Sequence, residues 1–196
     1  MNDSQRFSEQ IAFLLEMDKM KNIYRQTRVL HEDRAENDAE HAWHLAMLAI
    51  VLKEYANEPV DLATVLETVL IHDVVEIDAG DTYAYDEAGN ATKAEREQKA
   101  AERLYGLLPP EQGERLKRLW EEFEAQSTPE ARFANALDRI QPLMLNFNKQ
   151  GEAWRAHGTR KEQVMGRMQP VFAGSETLGS FAVSLIEQAA KAGWLK

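Results

Sequence analysis

The amino-acid sequence predicts an all-α fold, a single globular helical bundle, and three observations support this prediction. Apolar residues recur at intervals of three and four along most of the 196 residues, which is the spacing of an amphipathic helix. Prolines and glycines cluster between these periodic segments, where they end helices. We identify no credible strand pair, no repeat of fixed period and no low-complexity segment. The pattern predicts roughly eight to ten helices.

The predicted helices follow one another with short breaks. They cover residues 4–21, 39–55, 62–72, 92–105, 111–125, 130–148, 159–172 and 175–192. The first has an apolar face made of Phe7, Ile11, Leu14 and Leu15. The second has a core stripe made of Leu45, Leu48, Leu52 and Tyr55. We expect residues 151–158 to form a loop, and we expect Pro142 to kink or offset the helix that contains it.

Composition and charge limit the classes of protein to which the chain can belong. Its length suits one domain, 1–196, with a core over about residues 10–150 and the helices of residues 159–192 packed on it. The net charge of −10 argues against binding to nucleic acid polymers or anionic membranes. A polar N-terminus, the lack of a long apolar run and the absence of cysteine predict a cytoplasmic protein without disulfides or cysteine-based zinc sites.

Residues 71–82 are the most informative stretch. An apolar helical run leads directly into His72 and Asp73, and the acidic residues Glu76, Asp78 and Asp81 follow. Unpaired charges beside apolar packing cost several kcal/mol, about 3–5 for a broken buried pair, so a bound divalent cation would compensate them. Imidazole and carboxylate together suit Mn, Fe, Co, Ni or Zn. The alternative is a helix end with a solvated acidic loop behind it.

The connection that follows is long and acidic, covering residues 73–90. Connections of this length within a compact domain are often functional. Tyr83 and Tyr85 lie in it, and either they cover a site or they simply pack.

Two further helices offer metal ligands. His41 precedes Leu45 by four residues and therefore lies on the buried face of its helix, with His44 one turn on. Asp138 stands among apolar residues of the helix over 130–148, where it needs a cation or Arg139 as partner. The alternative for His41 is a core histidine with satisfied hydrogen bonds. As metal ligands, the two imidazoles and two carboxylates of His41, His72, Asp73 and Asp138 would leave octahedral positions free for water and substrate.

A basic patch stands out in this acidic chain. It consists of Lys19, Lys21, Arg25 and Arg28. It is either a solvated helix end or a contact for an anionic substrate.

The order His, His-Asp, Asp on successive helices resembles the HD-domain metal-dependent phosphohydrolases, and most closely the 5′-deoxynucleotidase-like branch. The matching segments are RAENDAEH at residues 34–41, IHDVVEIDAGD at 71–81 and ALDRI at 136–140. The resemblance covers about residues 10 to 190. It implies an HD-domain fold and a divalent metal cation as cofactor, with Mn, Co, Fe, Ni, Zn or Mg as candidates. The metal ligands that it implies are His41, His72, Asp73 and Asp138.

The same resemblance assigns further roles. It implies that Glu76 and Asp81 act near the attacking water or a second cation, and that Arg25 contacts the substrate phosphate. The aromatic residue that accompanies such an arginine in the family is not clearly present here, since Tyr24 precedes Arg25. The resemblance also implies a homodimer.

The function expected from these residues is hydrolysis of (deoxy)nucleoside 5′-monophosphates to nucleoside and phosphate, with a small nucleotide as substrate. Hydrolysis of another phosphate ester, such as a cyclic or longer nucleotide, is an alternative within the same class. A di-iron oxygenase would need more histidine ligands, and His44 is the obvious spare. A non-catalytic metal-bound scaffold would not need Glu76 and Asp81.

Overall fold

The computed structural model describes residues 2–81 and 91–196, and it confirms the predicted all-α class. The helices in chain order are α1 (Asp3–Met17), α2 (Asp38–Leu52), α3 (Leu62–Ile71), α4 (Glu76–Ala79), α5 (Lys93–Tyr105), α6 (Pro110–Ala125), α7 (Pro129–Asn148), α8 (Glu152–His157), α9 (Lys161–Met168), α10 (Val171–Gly174) and α11 (Glu176–Lys191). Short 3-10 turns at Asp18–Asn22 and Lys53–Tyr55 extend α1 and α2. No helix in the described ranges is long and apolar enough to cross a membrane. Tyr83 and Tyr85 lie outside the described residues.

A small antiparallel ribbon joins α1 to α2, so the expectation of no strand pair is wrong. Strand β1 (Tyr24–Arg28) pairs with β2 (Ala35–Asn37), with Arg28 opposite Ala35. The strands are short and polar, and they bury only Thr27 and Glu36, so apolar alternation gives no signal for them. The basic patch therefore lies partly on a 3-10 turn and partly on a strand.

Two other local expectations fail because of proline and glycine. Residues 151–158 contain α8 rather than a loop, with Gly151 (φ 67°) and Gly158 (φ 64°) in left-handed conformations at its two ends. The helix expected over residues 159–172 is two helices, α9 and α10, with Pro170 at the junction. Pro142 lies inside α7, which continues past it.

The core is organised around α7, which contacts α2, α3, α6, α10 and α11. Phe133, Ala134, Leu137 and Ile140 of α7 are fully buried. A second apolar cluster joins α1, α4, α5 and α6 through Phe13, Ala79, Leu104 and Trp120.

The apolar residues of α1 and the end of α2 are more exposed than core positions. Phe7 and Leu15 of the α1 apolar face are 64% and 70% exposed, and Phe13 is the buried residue of this helix. Tyr55, which we expected in the core stripe of α2, is 41% exposed because the helix has already passed into a 3-10 turn there. Leu45 of the same stripe is fully buried.

Gly174 sets the closest approach of α10 to α7, which makes it a test of this packing. A Cβ atom at Gly174 would overlap the backbone carbonyl oxygen of Arg132 and lie 3.0 Å from the Cβ of Ala136. We expect Gly174→Ala to lower the free energy of unfolding in urea by about 1–3 kcal/mol, because backbone atoms must shift. Gly166→Ala is the control, since its Cβ would meet nothing within 4 Å. An equal loss in both variants would contradict this role of Gly174.

Candidate metal centre

The first histidine of the site is held at the start of α2. Asn37 caps this helix, because its Oδ1 accepts the Glu40 N–H at 3.0 Å while the Glu40 side chain accepts the Asn37 N–H at 3.2 Å. His41 lies one turn inside the helix and is fully buried. The cap thus fixes the point at which the helix enters the core, and with it the direction of the His41 ring.

The second histidine and the first aspartate lie where α3 ends. The apolar residues Val65 and Val69 hold α3 in the core. His72 is the C-cap of this helix, and a tight turn over residues 72–75 leads to α4. His72 and Asp73 are both buried, and the His72 ring packs edge-on against Phe123 at a centroid distance of 4.9 Å.

The four predicted ligands converge on one point. His41 Nε2 lies 3.1 Å from Asp138 Oδ1 and 3.7 Å from Asp73 Oδ2. His72 Nε2 lies 3.1 Å from Asp73 Oδ2 and 3.7 Å from Asp138 Oδ1. Two imidazole nitrogens and two carboxylate oxygens thus face one another across helices α2, α3 and α7 and the turn after α3.

Hydrogen bonds fix both imidazoles with Nε2 toward this point. His41 Nδ1 donates to Gln141 Oε1 at 3.1 Å, and His72 Nδ1 donates to the Val69 carbonyl at 2.9 Å. The proton of each neutral ring is therefore on Nδ1, and the lone pair of Nε2 points to the carboxylates. Within the described residues, His72 Nε2 has no hydrogen-bond partner.

This donor set fits a divalent cation. A buried imidazole lone pair that faces carboxylate oxygens is repelled by them unless a positive charge lies between. Ligand atoms of His41, His72 and Asp73 lie within 4.8 Å of one another, and Asp138 Oδ1 faces both imidazoles. Two nitrogens and two carboxylates suit borderline and hard metals.

The pKa values show how strongly the centre attracts positive charge. Burial lowers the pKa of His72, but Asp73 and Asp138 outweigh burial and raise it well above its usual range. Burial raises the pKa of Asp138, yet His41 and His72 lower it well below its usual range. A cation among these groups stabilises both carboxylates, and metal binding would displace protons from the imidazoles.

Arg25 of β1 reaches the same centre. Its Nη1 lies 2.6 Å from Asp73 Oδ2 and 3.2 Å from Asp38 Oδ1, and its Nη2 lies 3.9 Å from Asp138 Oδ1. Burial lowers the pKa of Arg25, but Asp73, Asp138 and Glu76 raise it well above its usual range, so the guanidinium stays charged. The ribbon thus delivers one permanent cation to the ligand carboxylates.

The predicted acid–base residues lie next to the ligands. Glu76 begins α4, is 5% exposed, and its Oε2 has no hydrogen-bond partner in the described part of the chain. Burial raises the pKa of Glu76 well above its usual range, and Asp73 and Asp38 raise it further. Gly80 (φ 75°) ends α4, and the half-buried Asp81 lines the same cavity as His72 and Asp73. Burial also raises the pKa of Asp81.

Sequence reasoning missed Asp38 as a site residue. Asp38 is the first residue of α2, directly after the capping residue Asn37. Asp38 is fully buried and accepts a hydrogen bond from Arg25, and its oxygens lie close to those of Asp73 and Glu76. Burial and the Asp73 carboxylate raise its pKa to about 7. Its position three residues before His41, on the same face of α2, is a signal that could have revealed it.

Sequence reasoning also missed Gln141, the hydrogen-bond partner that orients the His41 ring. Gln141 of α7 is fully buried, accepts from His41, and donates to Glu36 Oε1 at 2.6 Å. Its amide also lies 3.2 Å from His44 Nδ1. Gln141 follows Asp138 by three residues on the same helix face, so its spacing was an available signal.

Two adjoining cavities open from this centre. The metal cavity, about 140 Å³, is lined by the predicted ligands His72, Asp73 and Asp138 and by Glu76 and Lys93 among others. The distal cavity, about 90 Å³, lies between β1, α7, α8 and α9. Arg25, Asp81, Arg139 and Arg167 line both, so the two cavities are neighbours with these side chains between them.

Comparison with known protein families and curated proteins gives consistent results. A family model described as an HD domain matches residues 17–178. The 5′-deoxynucleotidase HDDC2 of Bos taurus is 30% identical over 135 residues, which cover 68% of this chain and 64% of that protein. The protein of the same name from Danio rerio is 25% identical over 177 residues, covering 90% and 80%. The chain thus matches just under two thirds of the length of the bovine relative.

Solved structures show the same similarity. A predicted metal-dependent phosphohydrolase from Magnetospirillum magnetotacticum MS-1 is 49% identical, covers 97% of this chain and 96% of its own, and has a TM-score of 0.93. An HD-domain phosphohydrolase from Listeria innocua has a TM-score of 0.59 at 18% identity, covering 94% and 82%. The second similarity concerns the fold alone.

We expect His41 and His44 to differ in their contribution to metal binding. His41→Ala removes an Nε2 that faces the centre, and it should lower Mn²⁺ affinity by more than the roughly 10–100-fold typical of an outer hydrogen-bond partner. His44→Ala removes a contact behind Gln141, and it should lower stability more than metal affinity. Calorimetric Mn²⁺ titration and urea unfolding measure the two effects. Equal loss of metal in both variants would make His44 a ligand and revive the di-iron alternative.

Proposed function

The chain belongs to the HD domain family, and from that premise we propose that it is a divalent-metal-dependent phosphomonoesterase acting on (deoxy)nucleoside 5′-monophosphates. The convergence of His41, His72, Asp73 and Asp138, with both Nε2 atoms directed inward, is the observation that carries the proposal. The metal is Mn, Co, Fe, Ni, Zn or Mg. The relatives named 5′-deoxynucleotidase support the choice of substrate.

The proposed metal ligands divide into two oriented imidazoles and two carboxylates. When bound, the divalent cation lowers the pKa of a water and neutralises charge on the phosphate. His41 and His72 offer neutral nitrogens whose orientation is fixed by Gln141 and by the Val69 carbonyl. Asp73 and Asp138 supply the negative charge that holds a cation in a buried place.

Arg25 is the proposed phosphate contact. A phosphate monoester is a dianion, so a site rich in carboxylates would repel it without local cations. The Arg25 guanidinium lies against Asp73 and lines both cavities, where it can donate a bidentate pair of hydrogen bonds to equatorial phosphate oxygens. Arg25 lies on the ribbon rather than on a helix that carries a proposed ligand.

Glu76 and Asp81 are the proposed proton-transfer groups. Both line the metal cavity together with Asp73. One carboxylate can accept a proton from the attacking water, and one carboxyl can supply a proton to the leaving 5′-oxygen. The unpartnered Oε2 of Glu76 supports Glu76 as the first candidate.

Phosphate release from a panel of phosphate esters, with several divalent cations, tests the proposed function and the role of Glu76 together. We expect deoxynucleoside monophosphates to be hydrolysed, and Glu76→Ala to lower kcat by about 10²–10⁴-fold with metal content unchanged. Glu102→Ala, which changes a residue on the exposed surface of α5, is the control. Full metal with unchanged kcat in Glu76→Ala would remove Glu76 from the mechanism, and hydrolysis of cyclic or longer nucleotides alone would replace the proposed substrate.

Arg25→Ala separates phosphate binding from proton transfer. It should raise KM as well as lower kcat, because the guanidinium contacts phosphate in the ground state and in the transition state. Arg28→Ala is the matched control, since Arg28 pairs with Asp33 at 2.6 Å at the far end of the same strand. Steady-state kinetics on one deoxynucleotide give both parameters. A variant with normal KM would show that Arg25 does not hold the substrate phosphate.

We also propose a cytoplasmic homodimer that does not bind nucleic acid polymers. The exposed apolar residues Trp43, Met47 and Ile50, which lie along one side of α2, support a protein contact on this helix. A monomeric mass by light scattering at micromolar concentration would contradict the dimer.

A further inference from the structure

The distal cavity differs in character from the metal cavity. Its walls include the buried side chains of Leu143, Trp154, Val164 and Met168. The neutral polar side chains of Gln26, Thr27 and Asn146 line it as well. The cavity thus combines apolar contact surface with polar groups that can fix the orientation of a ligand, and this combination suits a flat organic group that carries hydrogen-bonding atoms.

Charge distinguishes the two cavities as well. Three arginines and one carboxylate, Asp81, line the distal cavity, although the whole chain carries a net charge of −10. The metal cavity has the opposite balance, with six carboxylates and four cationic side chains. The distal end of the site therefore favours groups that accept hydrogen bonds.

The three arginines of the distal cavity differ in how their guanidinium groups are paired. Arg25 pairs with Asp38 and Asp73. Arg139 donates through Nε to Asn135 at 2.7 Å and through Nη1 to the backbone carbonyl of Arg167 at 3.1 Å. The Arg167 guanidinium makes no hydrogen bond or ion pair within the part of the chain that the structure describes.

The hydrogen bond from Arg139 to the Arg167 carbonyl oxygen holds the backbone of α9 at Arg167. Arg139 directly follows the ligand Asp138 on α7, so α9 is tied to the metal helix at this point. Arg167 lines both cavities, so its planar guanidinium lies at the boundary between them. Its donors form a fork of fixed geometry.

From these observations we propose that the distal cavity binds the base of the nucleotide and that Arg167 recognises a 6-keto purine. An arginine fork matches the two neighbouring acceptors O6 and N7 of such a base, whereas adenine presents an amino donor at position 6. The inference rests on the proposed function, since it assigns the leaving nucleoside of the same reaction to this cavity. Arg167 is then a specificity-determining residue that the metal chemistry does not require.

The pair dIMP and dAMP tests this proposal directly, because the two nucleotides differ at purine position 6. We expect the wild-type protein to bind dIMP more tightly than dAMP, and to hydrolyse it with higher kcat/KM, by about five- to hundredfold. Arg167→Gln should bring both ratios close to one while urea unfolding stays unchanged. Arg155→Gln is the matched control, because Arg155 is exposed on α8 and does not line the cavity.

Two further substrates separate recognition of the base from contact with a phosphate. Deoxyribose 5-phosphate lacks the base, so Arg167→Gln should leave its hydrolysis unchanged, and an equal loss on this substrate would place Arg167 on the reacting phosphate and overturn the proposal. A loss confined to deoxyadenosine 3′,5′-bisphosphate would assign Arg167 to a second phosphate and overturn it equally.

Separate measurements of binding and of hydrolysis test the base site and the proposed phosphatase activity independently. Equal dissociation constants for dIMP and dAMP, measured by calorimetry, would overturn the inference even if both are hydrolysed. Tighter dIMP binding that depends on Arg167, without hydrolysis of any nucleotide, would support the base site and overturn the proposed phosphatase.

Discussion

The structure depends on the burial of several carboxylates around one small volume. Asp38, Asp73, Glu76 and Asp138 lie within the helical interior, where an unpaired charge costs several kcal/mol, roughly 3–5 for a pair that has lost one partner. Arg25 offsets part of that cost, and each imidazole does so when it carries a second proton. The carboxylates that remain uncompensated make the centre suited to a divalent cation. The burial of charge that destabilises the fold therefore also favours metal binding.

Helix α7 links the packing of the core to the geometry of this centre. Its apolar residues Phe133, Leu137 and Ile140 are fully buried, and they hold the helix against its neighbours in the core. Asp138 and Gln141 project from the same helix toward His41. A core substitution in α7 therefore changes ligand positions as well as stability, because one rigid element carries both.

The ribbon and the C-terminal helices complete the site from the opposite side. β1 contributes Arg25, and α9 contributes Arg167, from segments far apart in the chain. Carboxylates predominate where the proposed metal ligands meet, and arginines predominate at the distal end. This division suits a substrate that presents a phosphate to one end and a hydrogen-bond acceptor to the other.

The sequence by itself determined the all-α class and the ligand-bearing segments, because apolar periodicity and the charges that interrupt it are local properties of the chain. His41, His72 and Asp138 were identifiable because each stands at a helical spacing from core residues. The ribbon, the helix α8, the pairing of Asp38 with Arg25 and the position of Arg167 were decided only by the tertiary structure. The ribbon and α8 are short and leave little periodic signal, and the other two features depend on how elements that are apart in the sequence pack together. Their partners therefore become apparent only once the helices have packed.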